Sequence, residues 1–305
     1  MALTGCPAPN RPPDLPAQPR PLRVTFLDVG QGDAAVIESP SGRVAVIDGG
    51  GRPGADERAG DDPGSRVVVP FLRRRGVSTV DLLVATHADD DHAQGLIAVA
   101  SRLRVRGALV SGYPGGGRRS AAYGRLLARL RGRGVPVRAA ARGMTVDLGA
   151  GVRLEVLNPP RPYLAGGNGS DDNENSVVLR VVYGRARLLL TGDVGAAAEA
   201  DLLRAERGRL RADLLKAGHH GSRSSSGEEF LNAVVPGVAV ISAGQDSVYG
   251  HPHSEVISRL RRRHIRLFRT DRHGAIVVET DGTTLRVTPT RAENESPRAL
   301  LGAGT

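Results

Sequence analysis

Short apolar runs separated by glycine-containing turns open this chain. Residues 22–28, 34–38 and 43–48 are rich in Val, Leu, Ile, Phe and Ala, and read as three strands. A loop rich in Gly and Asp follows over 49–65. Residues 67–75 then carry helical spacing, and Asp81-Leu-Leu-Val-Ala-Thr86 reads as a buried strand. A helix is expected at 94–103, a strand at 107–111 and a helix at 124–131. Residues 146–157 suggest two strands around Gly149-Ala-Gly151, and 158–174 a long polar loop. Residues 176–183 and 186–191 pair across Gly184-Arg185, and 196–206 is helical. Further strands are expected at 213–217, 237–242, 265–270, 275–279 and 284–288, with helices at 228–234 and 254–263. Strand pairs that lead into alternating strands and helices occur twice. That pattern suits two mixed sheets packed face to face with helices outside, an αββα sandwich of the α/β (α+β layered) class, expected over residues 22–290. Residues 291–305 read as a disordered tail.

Composition changes this picture only in part. A chain of 305 residues that is 40% hydrophobic can fill one large core, but with 3% aromatic residues and no Trp that core must come from Val, Leu, Ala and Ile. No apolar run approaches the roughly 18 residues of a membrane helix, so no integral membrane segment is expected. The net charge is +10 and is carried by arginine, Lys216 being the single lysine. Arginines cluster at Arg73-Arg74-Arg75, at Arg125, Arg129, Arg131 and Arg133, and from Arg259 through Arg269. A basic surface concentrates polyanions and speeds their capture. GC-rich coding bias and solvated helix faces give the same composition. Oligomeric state leaves no mark in the sequence.

Cys6 is the single cysteine, so no disulfide forms within the chain. Leu3-Thr4-Gly5-Cys6 has the form of a lipobox, where bacterial lipoproteins are cleaved and acylated. The apolar stretch that should precede it is missing. Two readings stay open: a chance match, or a true start further upstream. Residues 1–21 would serve as a Pro-rich tether. Localisation is accordingly open between an extracytoplasmic, lipid-anchored or secreted bacterial protein and a cytoplasmic one.

The chemistry concentrates in His87-Ala-Asp89-Asp-Asp91-His92, directly after a strand. His87, Asp89, Asp91 and His92 crowd two imidazoles and two carboxylates into one turn, and their lone pairs call for cations. Other polar clusters also fall where strands stop, at Asp28 to Asp33, Asp48, Thr191 to Asp193 and Ala217 to Ser222.

Taken together and in order, these clusters resemble the metallo-β-lactamase superfamily. More narrowly, they resemble the C-terminal hydrolase domain of the ComEC family of DNA-uptake channels. The segments that carry the likeness are Phe26-Leu-Asp-Val-Gly-Gln-Gly-Asp33, Ile47-Asp-Gly-Gly50, Thr86-His-Ala-Asp-Asp-Asp-His92 and Asn175-Ser-Val-Val-Leu179. Leu190-Thr-Gly-Asp193, Leu215-Lys-Ala-Gly-His-His-Gly-Ser222, Tyr249-Gly-His-Pro252 and Arg269-Thr-Asp-Arg-His-Gly-Ala-Ile276 continue it. The membrane part of such a channel has no counterpart here, so the likeness does not extend to translocation.

The resemblance implies two divalent ions, Zn²⁺, Mn²⁺ or Mg²⁺. His87 and Asp89 would serve one, Asp91, His92 and His220 the other, and Asp193 would bridge them. His219 would face the substrate, with the order within the His219-His220 pair open. Asp89 stands where many relatives have His, which makes the site harder and more favourable to Mn²⁺ or Mg²⁺. Asn175 is the nearest match to a third motif that is usually His; its amide would coordinate or orient water. Asp28 and Asp48 would fix the far nitrogens of ligating imidazoles. Gly30, Gly32, Gly49 and Gly50 read as turn glycines. A shared water with a pKa near neutrality would supply the attacking hydroxide. Asp91 would also take a proton, while Ser222, His219 and His251 would meet phosphate oxygens. His253 reads more simply as a helix start. The expected activity is a metal-dependent phosphodiesterase of nuclease type on DNA or a related polyanion. A phosphoesterase on a phosphocholine or nucleotide substituent, and a polyanion-binding module without turnover, are the alternatives.

Overall fold

The computed structural model describes residues 20–52, 60–114, 120–165, 171–245, 247 and 249–292. Cys6 and nearly all of the expected tether and tail lie outside these residues. Through the first half the chain forms β1 (Leu22–Phe26), β2 (Ala35–Glu38), β3 (Val44–Ile47), α1 (Val69–Arg74), β4 (Thr79–Val80), β5 (Leu82–Ala85) and α2 (Asp90–Arg102). β6 (Arg104–Val105), β7 (Ala108–Val110), α3 (Ala121–Gly132), β8 (Val137–Ala139), β9 (Thr145–Gly149) and β10 (Val152–Asn158) follow. The second half holds α4 (Asp171–Glu174), β11 (Val178–Tyr183), β12 (Ala186–Leu190), α5 (Ala196–Glu206), β13 (Leu214–Lys216), α6 (Glu228–Val234) and β14 (Val238–Ile241). It ends with α7 (Ser254–Arg262), β15 (Arg266–Arg269), α8 (Thr270–His273), β16 (Ile276–Thr280) and β17 (Leu285–Pro289).

Two large sheets result, ordered β17-β16-β1-β2-β3-β5-β7-β8 and β15-β14-β13-β12-β11-β10-β9. Each joins an antiparallel part to a parallel one: β3, β5, β7 and β8 are parallel in the first sheet, β12 to β15 in the second. The parallel strands bury both faces. In β5, Val84 enters the core between the sheets while Leu83 packs outward under helices with Leu72, Leu96 and Leu126. In β13, Leu214 faces the inner core, and Leu215 packs outward with Leu202, Phe230 and Leu260. Strands covered twice read as unbroken apolar runs. Three cores in four layers make the αββα sandwich that the sequence predicts.

The local differences have physical causes. α2 begins at Asp90 rather than at residue 94, with Asp89 as its N-terminal cap residue. Carboxylates are favourable beside the positive end of a helix, so the acidic run starts the helix rather than extending the turn. β8 is too short for its alternation to stand out in the sequence. The sandwich places the carboxyl ends of β3, β5, β12, β13 and β14 along one edge. In open α/β sheets that is where ligands bind.

Candidate metal centre

Strand ends deliver polar groups to that edge. Asp48 follows β3, His87 follows β5, Asp193 follows β12, and His219 and His220 follow β13. Asp91 and His92 rise from the first turn of α2, and Asp33 comes from the loop between β1 and β2. That loop approaches α2 closely. A Cβ on Gly32 (φ +93°) would lie 1.8 Å from the Asp91 carbonyl oxygen, so the position admits only glycine. The Asp33 amide donates to the same oxygen at 3.2 Å.

Asp33, His92, Asp193 and His220 each bring a possible ligand atom within 4.8 Å of one another, and all four are buried. The His220 Nε2 atom lies 3.2 Å from Asp193 Oδ2, 3.3 Å from Asp91 Oδ2 and 3.4 Å from His92 Nε2. His92 Nε2 lies 3.3 Å from Asp193 Oδ2 and 3.9 Å from Asp91 Oδ1. A tetrahedral ion with bonds of about 2.0–2.2 Å holds its ligand atoms about 3.3–3.6 Å apart. His92, His220 and Asp193 have close to that spacing, and Asp91 reaches His220 at it while standing 3.9 Å from His92. Asp33 stands on the other side of the His220 ring, its Oδ1 3.2 Å from Nδ1, and forms a buried ion pair with Lys216.

Both rings of this group are fixed from behind. Asp48 Oδ2 lies 2.9 Å from His92 Nδ1, and the Ser242 carbonyl lies 3.1 Å from His220 Nδ1. An acceptor at Nδ1 leaves the Nε2 lone pair for a cation. Asp48 takes a left-handed backbone (φ 57°), which Asp tolerates better than most residues. Its carboxylate accepts from the Thr86 amide at 2.8 Å and from Thr86 Oγ1 at 2.7 Å. Since that hydroxyl gives its proton to Asp48, it accepts from His87 Nδ1 at 3.0 Å. Asp48 therefore orients two imidazoles, one directly and one through Thr86.

Next to this group is a looser one. His87 Nε2 is 3.5 Å from Asp89 Oδ2, and the Asp89 side chain is 45% exposed. His87 Nε2 and Asp193 Oδ1 are buried without a hydrogen-bond partner. Orphaned buried polar atoms are costly, and an unpartnered imidazole nitrogen and an unpartnered carboxylate oxygen are both groups that a cation would satisfy.

Electrostatics follow the packing. Burial opposes charge on His92 and His220. For His92 the Asp193, Asp48 and Asp91 carboxylates outweigh it, and for His220 Asp193 and Asp33 do, so both pKa values are raised well above the ordinary imidazole value. Burial also opposes charge on Asp193, yet His220 and His92 hold it well below the usual carboxylate range. Asp91 is lowered in the same way, against burial, by His92 and His220. In Asp33 the burial penalty is outweighed by Lys216 and His220. His219 is lowered, chiefly by burial.

Not every predicted residue joins the cluster. Asn175 is a correction. Its Oδ1 accepts from the Leu164 amide at 3.0 Å, and its Nδ2 donates to the Leu164 and Asp171 carbonyls at 2.8 and 2.7 Å. The amide is spent on clamping a loop, so neither coordination nor a substrate contact is available to it. Asp28 is a second correction. It turns to Arg291 at 3.3 Å and to the Gly30 amide at 3.4 Å, and supports no imidazole. The Ser222 hydroxyl is buried and pairs with Ser224 at 3.0 Å, which makes it part of the loop rather than a phosphate contact. His219 and His220 both have left-handed backbones, and this sharp turn sends His220 inward while the His219 side chain stays 30% exposed. His251 packs edge-on to His219, ring centroids 5.4 Å apart. Asp33 and Lys216 went unassigned in the sequence. The available signal was a lone lysine placed two residues before the glycine of a His-His motif.

The metallo-β-lactamase superfamily matches residues 27–245. The chain belongs to this superfamily. It is 33% identical over 260 residues to ComE operon protein 3 of Bacillus subtilis (strain 168), covering 83% of this chain and 32% of that protein. Competence protein ComA of Neisseria gonorrhoeae is 35% identical over 255 residues, covering 83% and 31%. The chain thus spans about a third of the length of these relatives. Among solved structures, the metal-dependent hydrolase Tm1679 of the β-lactamase superfamily shares the fold, with a TM-score of 0.51 at 15% identity, covering 81% of this chain and 95% of that one. The likeness read from the motifs holds at the level of a ComEC-like metallo-β-lactamase hydrolase. Among the described residues no helix is long and apolar enough to cross a membrane.

Proposed function

We propose that the chain is a two-metal phosphodiesterase acting on DNA. Asp91, His92 and His220 would hold the buried ion, His87 and Asp89 the open one, and Asp193 would join both. The observation that supports this most is the mutual spacing of His92, His220 and Asp193, with Asp91 3.3 Å from His220, together with the unpartnered His87 Nε2 and Asp193 Oδ1 atoms. Divalent ions so held supply a nucleophile from water near neutral pH and offset charge on a phosphoryl group. The chain's own groups do the rest. Asp91 stays a carboxylate, held there by His92 and His220, and so is available as a ligand. His219, with its lowered pKa, is a neutral imidazole at the pocket mouth and can donate a hydrogen bond to a phosphate oxygen. Asp48 and the Ser242 carbonyl keep the rings in place. The polyanion reading draws on the net charge of +10 and on a relative named as a competence protein.

Purified protein incubated with Mn²⁺ should cleave single-stranded DNA, lose that activity in EDTA and regain it when Mn²⁺ is restored. Tight DNA binding without cleavage under any divalent ion would sink the enzyme reading. Turnover of bis-p-nitrophenyl phosphate with DNA left intact would transfer it to a small phosphoester.

A further inference from the structure

A chain of ring contacts runs from the buried metal group to the surface. His220 and His251 have ring centroids 6.3 Å apart, and His251 in turn stacks with Tyr249 at 5.9 Å and an interplanar angle of 29°. His219 and His253 brace His251 edge-on from two sides, at 5.4 and 4.9 Å. Tyr249 ends the series and is 59% exposed. In a chain with 3% aromatic residues, most other aromatic rings are at least partly covered, and this one presents its surface to solvent beside the pocket. The loop that carries His220 continues to Arg223, which is exposed and whose amide donates to His253 Nδ1 at 3.2 Å. Glu255 shares that surface and interacts with Arg223.

An exposed ring stacked on a second ring, one ring away from the candidate metal group and on the same surface as an exposed arginine whose backbone meets His253, has the parts of a single-strand subsite. Bases stack on aromatic faces whatever their sequence, and the backbone is met by positive charge. Inside a duplex both faces of every base are already stacked, so only its ends could meet such a platform. We propose that Tyr249, backed by His251, stacks a nucleobase next to the phosphodiester in the pocket, with Arg223 meeting a neighbouring phosphate. The substrate is then single-stranded nucleic acid. This deepens the phosphodiesterase reading and rests on it for the placement of the scissile bond.

The test uses the metal-loaded protein and a short single-stranded oligonucleotide carrying 2-aminopurine, with an abasic oligonucleotide of equal length as its pair. Nuclease-resistant phosphorothioate linkages let binding be read whether or not the protein cleaves. Wild type should quench 2-aminopurine fluorescence. Tyr249→Ala should weaken binding of the base-bearing strand about tenfold and relieve the quenching, with binding of the abasic strand unchanged. Tyr249→Phe should stay within about twofold of wild type. Equal losses on both strands, no loss on either, or a blunt duplex competing as well as the single strand would overturn the proposal. A wild type that stacks the base yet leaves an ordinary phosphodiester strand intact would count against the phosphodiesterase reading and not against the platform.

Discussion

The two halves of the candidate metal centre are built differently. In the buried half, His92 and His220 are almost fully enclosed, and each ring nitrogen that faces away from the pocket meets an acceptor. In the other half His87 is equally buried, but its neighbour Asp89 is 45% exposed. One half is shaped before an ion arrives, and the other can adapt to the ion. Preorganised ligands favour affinity and a fixed geometry, while an open position with a hard carboxylate admits water and exchangeable ions. The buried half should therefore fill first, and the open half should set the dependence of activity on metal identity.

The largest expected effect comes from the residue the halves share. Asp193→Ala should lower phosphodiesterase activity by at least about a thousandfold and reduce metal content at both positions, since each loses an oxygen ligand. Elemental analysis beside the activity assay checks this. Loss of a single equivalent of metal would break the bridging role. Lys216→Met acts on the buried half alone. It leaves the Asp33 carboxylate buried next to His220 without its cation, which should cost about 3–5 kcal/mol of folding stability. Urea unfolding measures it, and Asp33→Asn added to Lys216→Met should recover most of the loss. A single variant as stable as wild type would show that the pair is not what holds Asp33.

How far the sequence reveals such a centre depends on the distance over which its residues cooperate. The open half and the front of the buried half lie in one local run, His87 to His92, and their chemistry is visible there. The rear support is not visible. Asp33 and Lys216 sit on different sheets and meet only because β1, β2 and β13 converge on one edge. Asn175 shows the opposite failure. A polar side chain in a motif looks functional until its amide is found spent on Leu164 and Asp171. Part of one arginine cluster is spent in a similar way, for Arg259, Arg262 and Arg263 all pair with Glu228 across the α6–α7 surface. The strands were legible because burial on two faces leaves an unbroken apolar run.

A smaller effect tests how the buried half is anchored. Glu199, from α5, accepts from the Ser226 and Gly227 amides, and Ser225 in the same loop donates to the Gly218 carbonyl just ahead of His219. Burial pushes the Glu199 carboxyl up from 4.5 to about 7. A carboxyl whose pKa rises on folding gives stability that is whole below its unfolded value and is lost as pH climbs through the folded one. Between about pH 5 and about pH 8 this group should remove about 2–3 kcal/mol. Glu199→Gln should flatten that slope in urea unfolding. A slope unchanged by the substitution would mean that Glu199 is ionised at neutral pH and held by its two amides.

The smallest expected change sharpens the contrast between the halves most directly. Asp89→His replaces a hard, exposed carboxylate with an imidazole and leaves the buried group untouched. Zn²⁺ at the open position should then bind about tenfold more tightly, with Mn²⁺ binding weakened, because imidazole suits Zn²⁺ and carboxylate suits Mn²⁺. Calorimetric titration of the chelated protein should show two binding steps in wild type, and the variant should shift only the weaker one. A shift in the tighter step would mean that the halves are coupled through Asp193 rather than separable. No shift in either would mean that Asp89, despite lying 3.5 Å from His87 Nε2, is not a ligand. The open ion would then rest on His87 and Asp193 alone, a set too small to hold it without substrate oxygens, and its binding would require the phosphate to arrive with it.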